Sequence, residues 1–415
     1  MRRLTIAVIS CLSLLLTASE AFAQNFPVER AVNNLGFQTT YQKTISVCAS
    51  GCDYSSVVAA FTAAVGQAHK LATHGIIVVS VADGTYTETA QAFTNDPASS
   101  AVQVIGNTHD LTKVQVNFTH ISGTNQSGFI AIGGGQIGLI DGMTINGVGA
   151  QASHTNTRTT WKNQSYGAGI MAQGGSVINL GPHMDIEHFY YGVEADDGGV
   201  VNARSGGVKA GDAGDVAFMA RGNGVIVCTP CTAVRVSDLT NPDTAKLGYC
   251  YDAERGGALY IDGSTCSQFG SGGLYALTNG KMWAHGVTVS NPLNTTLAKG
   301  AYALTGGVIE SQNSTFSGGY IGAEAQDLGV ITCNYCTFKG ASSDGVVSDG
   351  GAFLAGSSVS QDNAGYGYHA IHQGVIRLYG VTAKTTGNKT GKFAADTAGT
   401  ANGVAYTAAS VFVGN

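Results

Sequence analysis

Apolar positions along this chain recur in a pattern that is neither the 3.6-residue period of a helix nor a plain alternation. From residue 175 onward, a glycine is followed two places later by a large apolar residue and preceded four places earlier by a small one. The glycines are Gly175, Gly199, Gly224, Gly257, Gly280, Gly307, Gly329, Gly351 and Gly374, spaced 22 to 33 residues apart. Two places on stand Val177, Val201, Ile226, Leu259, Met282, Ile309, Ile331, Phe353 and Ile376; four places back stand Met171, Ala195, Ala220, Ala253, Ala276, Ala303, Ala325, Val347 and Ala370. Between them lie short β-like runs such as "GVIESQNSTF", with no room for a helix that has its own apolar face. A unit of this kind buries nothing alone and must stack on its neighbours. The pattern therefore predicts a parallel β-solenoid in which each column piles on itself. "GGGQIGLIDGMTING" (Gly133 to Gly147) reads as an earlier coil followed by an insertion. The two longest units carry extra loops, "VRVSDLTNPDTAKLG" and "NPLNTTLAKG".

The beginning of the chain follows other rules. Residues 1–23 read as a secretory signal: Arg2 and Arg3, an apolar stretch, then "AFA" before Gln24. This predicts export to a periplasmic or extracellular location. A lead segment, 24–44, follows. In "DYSSVVAAFTAAVGQAHKLA", Val57, Val58, Phe61, Val65 and Leu71 fall near helical spacing, so 45–134 is expected to hold a capping helix and the first coils. A cap shields the sticky edge of an end coil. Residues 135–383 are the coils proper, and the polar, Thr-rich 384–415 a C-terminal cap or tail.

Composition narrows the function classes. The net charge of −6 leaves no basic footprint for nucleic acid. No run after the signal is long enough to span a bilayer. Eight cysteines remain once the signal is removed: Cys48, Cys52, Cys228, Cys231, Cys250, Cys266, Cys333 and Cys336. An even count in an exported chain favours disulfides. The two C-x-x-C pairs lie four repeats apart, roughly 19 Å at sheet spacing, which disfavours one shared zinc. Local pairing is expected: Cys228 with Cys231, Cys333 with Cys336, Cys48 with Cys52 and Cys250 with Cys266.

"CDYSSVVAAFTAA" followed by "IIVVSVADGTYTE", together with the coils, resembles the pectin-lyase-like superfamily over about residues 45–383. The resemblance implies an all-β, right-handed parallel β-helix of about ten or more coils with an N-terminal helical cap. It does not select a chemistry, because the superfamily spans lyases, hydrolases, esterases, tailspikes and adhesins. "GDVAFMARGN" (Gly214 to Asn223) is similar to a pectin methylesterase segment, but the expected acid is Ala217 and the later motif is absent, which disfavours esterase activity. Of the polygalacturonase motifs only the dipeptides Asp196-Asp197 and His285-Gly286 are present. The family pattern places the run before each anchor glycine on the first sheet, where active sites of the superfamily usually lie. Asp141-Gly142, Asp262-Gly263 and His285-Gly286 share one turn register, as do Asn334 and Tyr379-Gly380, and are expected to serve the turn.

On the first sheet, period 2 turns the positions five and three before each anchor outward if the alanine column points in. Those columns bring Glu194, Asp196, Arg221, Asp252 and Glu254 together over three coils, with Asp197 starting a turn and Tyr275 and Tyr302 following along the groove. The acids are expected to face solvent. Three roles fit them. Asp196 and Glu254, about 9.6 Å apart at the backbone, suit an inverting glycosidase, with Glu194, Tyr275 and Tyr302 binding substrate. Glu194, Asp196 and Asp252 suit Ca²⁺, the one cofactor these ligands favour, in which case Arg221 is the proton-abstracting base of a lyase. The bland role is a cross-strand ion-pair ladder, in which Arg221 lowers both neighbouring carboxyl pKa values. The expected function is thus a polysaccharide-processing lyase or glycoside hydrolase, or a polysaccharide-binding protein, acidic polymers included. The alternative is a non-catalytic adhesion or tailspike-like protein on the same scaffold.

Overall fold

The computed structural model describes residues 42–71, 75–119, 127–148, 167–236, 248–379, 384–395, 399–401, 404–406 and 410–413. The signal, most of the lead segment, the insertion after Gly147 and most of the "VRVSDLTNPDTAKLG" loop lie outside the described residues. So does Gly380.

Three long sheets carry the molecule, and every neighbouring pair of strands within them is parallel. Each coil passes through them in turn. The first sheet has 12 strands, from Ala92–Thr94 to Gly391–Ala395; the second has 14, from Gln42–Val47 to Ser410–Val413; the third has 12, from Gly84–Glu88 to Lys384–Thr386. This is the parallel β-helix that the repeat columns predict. The C-terminal segment adds a small antiparallel pair, Gly399–Ala401 with Val404–Tyr406.

The helix α1 (Val57–Ala68) closes the N-terminal end as expected. Ser56 caps it by accepting from the Ala59 N–H, and Glu88 accepts from both the Val57 N–H (2.6 Å) and the Ser56 hydroxyl (2.7 Å). A carboxylate at a helix N-terminus meets its unpaired N–H groups and the positive end of its dipole. Val57, Val58, Ala60, Phe61, Ala64 and Ala68 are buried, and Phe61 meets Phe129 edge-on at 5.8 Å. No helix among the described residues is long and apolar enough to cross a membrane.

The apolar column forms one continuous ladder. Val201, Ile226, Leu259, Met282, Ile309, Ile331, Phe353 and Ile376 are partners in unbroken register, none more than 1% exposed. The anchor glycines have a steric cause. A Cβ at Gly280 would lie 1.9 Å from the Ala253 carbonyl oxygen, and one at Gly224 2.1 Å from that of Ala195. From Gly199 onward each anchor therefore crosses the backbone of the small inward residue in the coil before it, which links the glycine column to the alanine column.

Two coils depart from the sequence register. Ile178, not Val177, partners Val201, and Ala172, not Met171, partners Ala195. Ser176 holds the anchor place in that coil, and Gly175 is a turn residue with φ +76°. At Gly351 the turn is one residue shorter, so Ser348 and not Val347 lies inward beside Ala325; it is fully buried and its hydroxyl donates to the Gly351 carbonyl at 2.8 Å.

The shared turn register holds. Gly263 and Gly286 adopt φ of +70° and +66°, where a side chain is strained. Asp262 accepts from the His285 N–H at 2.9 Å, Asp141 from the His183 N–H at 2.8 Å and Asn334 from the Gly356 N–H at 3.0 Å, each bracing the next coil. His285 lies beside Asp262 at 3.3 Å, at the end of a second-sheet strand, away from the acids of the first sheet.

All four expected disulfides are present: Cys48–Cys52, Cys228–Cys231, Cys250–Cys266 and Cys333–Cys336, with Cα separations of 5.6 to 5.8 Å. Two of them span the turn from the second to the third sheet, and Cys250–Cys266 ties the first sheet to the third through the core.

Gly280→Ala should cost more than about 2 kcal/mol, since relief of the clash needs a backbone shift in a packed coil. Chemical denaturation measures this, and a neutral result would remove the close-approach account. Thiol titration of the unfolded, unreduced protein should find almost none of the eight cysteines reactive; most of them reacting would contradict the pairing.

Candidate functional site

In the strand Tyr191–Asp196, Val193 and Ala195 are fully buried inward, so Glu194 and Asp196 take the opposite, outer face. The next strand, Val216–Arg221, places Met219 opposite Glu194. Beyond it, Tyr249–Glu254 places Asp252 opposite Met219 and Glu254 opposite Arg221. Tyr275 follows opposite Asp252, then Tyr302, then Glu324. The two outward columns therefore stand as expected. Asp197 leaves the strand into the turn with φ +48°.

The acids are not at the solvent boundary, however. Glu194 is 2% exposed, Asp252 3% and Asp196 8%. The cause lies in their flanking residues. Glu194 stands between Met171 and Met219, and Asp252 between Met219 and Tyr275. At a strand spacing of about 4.8 Å, long side chains on both sides cover a short carboxyl.

Arg221 closes on the first two acids. One guanidinium nitrogen lies 2.7 Å from Glu194 Oε1 and 3.2 Å from Asp196 Oδ2, and the group sits 5.7 Å from the Tyr191 ring centre. The Glu194 contact is close in distance but out of line for a hydrogen bond, and Glu194 Oε1 has no hydrogen-bond partner among the described residues. Neither has the buried Asp252 Oδ1. Asp196 is better held: Gln173 Nε2 donates to its Oδ2 at 3.3 Å and the Asp197 N–H to its Oδ1 at 3.0 Å.

Burial decides the protonation of two of these groups. It pushes Glu194 up to about 7, against the pull of Arg221 and with the help of Asp196. Asp252 is held well above the carboxylate range by burial, then by the neighbouring charges of Glu254 and Asp215, with Arg221 opposing. At Glu194, desolvation outweighs the pull of one guanidinium shared between two acids. Arg221 itself titrates above its ordinary value. Burial works to lower it, but Glu194 and Asp196 outweigh burial. A guanidinium so held stays cationic, which removes it as a proton-abstracting base.

The Ca²⁺ expectation does not fit this donor set. Arg221 already lies between Glu194 and Asp196, whereas Ca²⁺ takes six to eight oxygens. Among the described residues, the three ligating side chains with atoms within 4.8 Å of one another are Glu187, His188 and Asp212, near the third sheet. There Lys209 lies 2.6 Å from Asp185 and 2.8 Å from Glu187, and Arg235 2.9 Å from Asp212. That cluster is an ion-pair ladder with its own cations.

The tyrosines also differ from expectation. Tyr275 stacks on Tyr249 (4.4 Å, 18°) and leans on Tyr302 (5.5 Å). The Lys299 ammonium sits 3.5 Å over the Tyr302 ring and 2.8 Å from Glu324, and the Tyr302 hydroxyl donates to Gln326. The ring faces are turned to one another along the helix axis. Sequence columns missed Asp215, which accepts from the Tyr190 hydroxyl at 2.9 Å. It lies before the strand, where turn length varies from coil to coil and no column reaches. They also missed Met171 and Met219 as the covers of the acids; Met219 sits in the outward column, and Met171 joins it through the one-residue shift of its coil.

No protein-family model matches the chain, and no curated protein matches it in sequence. Among solved structures, it is similar to the catalytic domain of a GH87 alpha-1,3-glucanase crystallised with tetrasaccharides, at 10% identity and a TM-score of 0.46, covering 87% of this chain and 67% of that one. It is similar to the A-module of the Azotobacter vinelandii mannuronan C-5 epimerase AlgE4, at 13% identity and a TM-score of 0.41 over 82% of this chain and 93% of that one. It is also similar to the Streptococcus pneumoniae surface protein and adhesin PfbA, at 10% identity and a TM-score of 0.32 over 86% and 94%. The likeness in each case is one of fold.

Proposed function

We propose that this protein is an exported polysaccharide-processing enzyme, an inverting glycoside hydrolase that works on the outer face of the first sheet. One observation carries the reading. Glu194 and Asp196 share the guanidinium of Arg221, and in the same outward columns burial pushes Glu194 up to about 7 and raises Asp252 well above its ordinary value. Proton-bearing and ionised carboxyls side by side are what general acid–base catalysis uses. Four disulfides suit the oxidising compartment that export reaches.

The roles follow from access. Asp196, 11% exposed at its side chain and paired with Arg221, is the base. Glu254, half-buried and on the same face of its strand as Asp252, is the reachable member of a pair that carries a proton. Asp196 and Glu254 lie two strands apart, about 9.6 Å at the backbone, near the upper end of the inverting range. Asp196 takes a proton from water as the water oxygen bonds the anomeric carbon. The glycosidic bond breaks, and its oxygen takes the proton carried by the Asp252–Glu254 pair. Arg221 stays charged throughout and fixes Asp196.

Asp196→Asn and Glu254→Gln should each lower kcat/KM for release of reducing ends by at least about 10²-fold, in variants whose melting curves show that they are folded. Full activity in both variants would sink the enzymatic reading and leave adhesion. Stability should also follow Glu194. Its folded pKa of about 7 exceeds the ordinary 4.5, so between those values the folded state binds a proton that the unfolded state does not. This contribution is complete below about 4.5 and is lost as pH rises through about 7. Melting temperature should therefore fall from about pH 5 to 8, and Glu194→Gln should flatten that fall; an unchanged slope in the variant would show that Glu194 does not hold the proton.

A further inference from the structure

We infer that two copies of this chain pair through the outer face of the second sheet, about a two-fold axis that runs along the helix. The pairing is independent of the chemistry on the first sheet. One place and three places after each glycine crossing, the second-sheet strands turn a side chain outward. The first of these columns carries Val200, Val225, Val308, Val330 and Val375, all half-exposed. The other carries Val227, Tyr260, Trp283 and Leu354; Tyr260 is 37% exposed and lies flat against Trp283, at 4.4 Å and 1°. The third sheet instead turns Lys209, Thr232, Thr265, Thr288, Thr315 and Thr337 outward, the polar face that solvent favours. A contiguous apolar patch of several hundred Å² marks an interaction site. The nine strands from Val177–Leu180 to Val375–Tyr379, at about 4.8 Å between strands and about 13 Å across four residues, give roughly 500 Å² on each copy. A pair then buries about 1,000 Å², the least that a specific association needs.

The two columns are complementary to each other, and this selects a second copy as the partner. An axis along the helix keeps every coil level with its own counterpart and exchanges the columns. Ala258 then faces the second copy's Tyr260, and Ala352 faces its Leu354, so that each large side chain meets a small one. Lys281 faces the second copy's Trp283. It lays its methylene stem against the indole and carries its ammonium to Glu310, the next residue in that column. Lys281 and Glu310 are both exposed in the single chain. The contact is therefore matched in size and in charge with itself, as an isologous interface requires.

Sedimentation equilibrium of the protein, read together with the fluorescence of Trp283, tests the pairing. A Trp161→Phe background leaves Trp283 as the one tryptophan. The mass should double between about 0.1 and 100 µM protein, and acrylamide quenching of Trp283 should fall at least about twofold over the same range. Val225→Lys with Val330→Lys should raise the dissociation constant at least about 100-fold, because each change places an ammonium in the buried face. A melting curve shows that the variant is folded. Lys281→Glu should weaken the pair in the same direction, and adding Glu310→Lys should restore it. A single-chain mass at the highest concentration overturns the inference, whether Trp283 is then open to the quencher or covered by another part of its own chain. A trimer also overturns it, since a two-fold contact closes at two. So does a dimer that the lysine variant leaves intact, because another face then holds it. A polysaccharide that shields Trp283 in a chain of single mass would assign the face to glycan instead.

Discussion

The close approach of each anchor glycine to the backbone carbonyl of the coil before it is the constraint on which the rest of this molecule depends. With a gap near 2 Å between a would-be Cβ and that oxygen at most of these glycines, adding a side chain at one of them requires the backbone to shift. The crossing fixes where one coil ends its first-sheet strand and begins its second. It thereby fixes the register of everything around it. Ladder hydrogen bonds set the spacing between coils, but bonds of that kind can form in any register. The glycine crossing and the buried apolar ladder beside it select one.

A fixed register has an electrostatic consequence. Residues in the same column stand about 4.8 Å apart, so charges of like sign in successive coils meet directly. The chain resolves this in two ways. On the third sheet it interleaves Lys209 and Arg235 among Asp185, Glu187 and Asp212. On the first sheet it supplies one arginine, and burial raises Glu194 and Asp252 above their ordinary values. Both sheets leave carboxyl oxygens with no hydrogen-bond partner among the described residues, Asp185 Oδ1 on the third and Glu194 Oε1 and Asp252 Oδ1 on the first, each costing about 1–3 kcal/mol in a dry setting.

The fold was legible in the sequence because the glycine and alanine columns are two faces of one steric contact, and a contact that tolerates so few residues leaves a visible trace. The reading slipped by one residue where a different residue met the same need. Ser176 stands at the crossing while Gly175 merely turns the chain, and a shortened turn before Gly351 carries Ser348 into the alanine column. The site was half legible. Period 2 gave the outward direction of Glu194, Asp196, Arg221, Asp252 and Glu254, since direction is a property of one strand. Burial is a property of three strands at once, and it turned on Met171 and Met219, which look unremarkable in their own coils. Asp215 was out of reach because it sits in a turn whose length no column constrains.

The tyrosine ladder shows why direction alone was a weak guide to role. Tyr249, Tyr275 and Tyr302 occupy successive strands of the outer face, where a platform for sugar rings was expected. The same stacking that aligns the core also aligns these rings, and aligned rings satisfy one another before any ligand arrives. What remains at the surface is their polar edge. On the hydrolase reading proposed above, a face built in this way binds by directed hydrogen bonds more than by apolar contact, and the carboxyls beside it both accept sugar hydroxyls and carry the proton that a leaving oxygen needs.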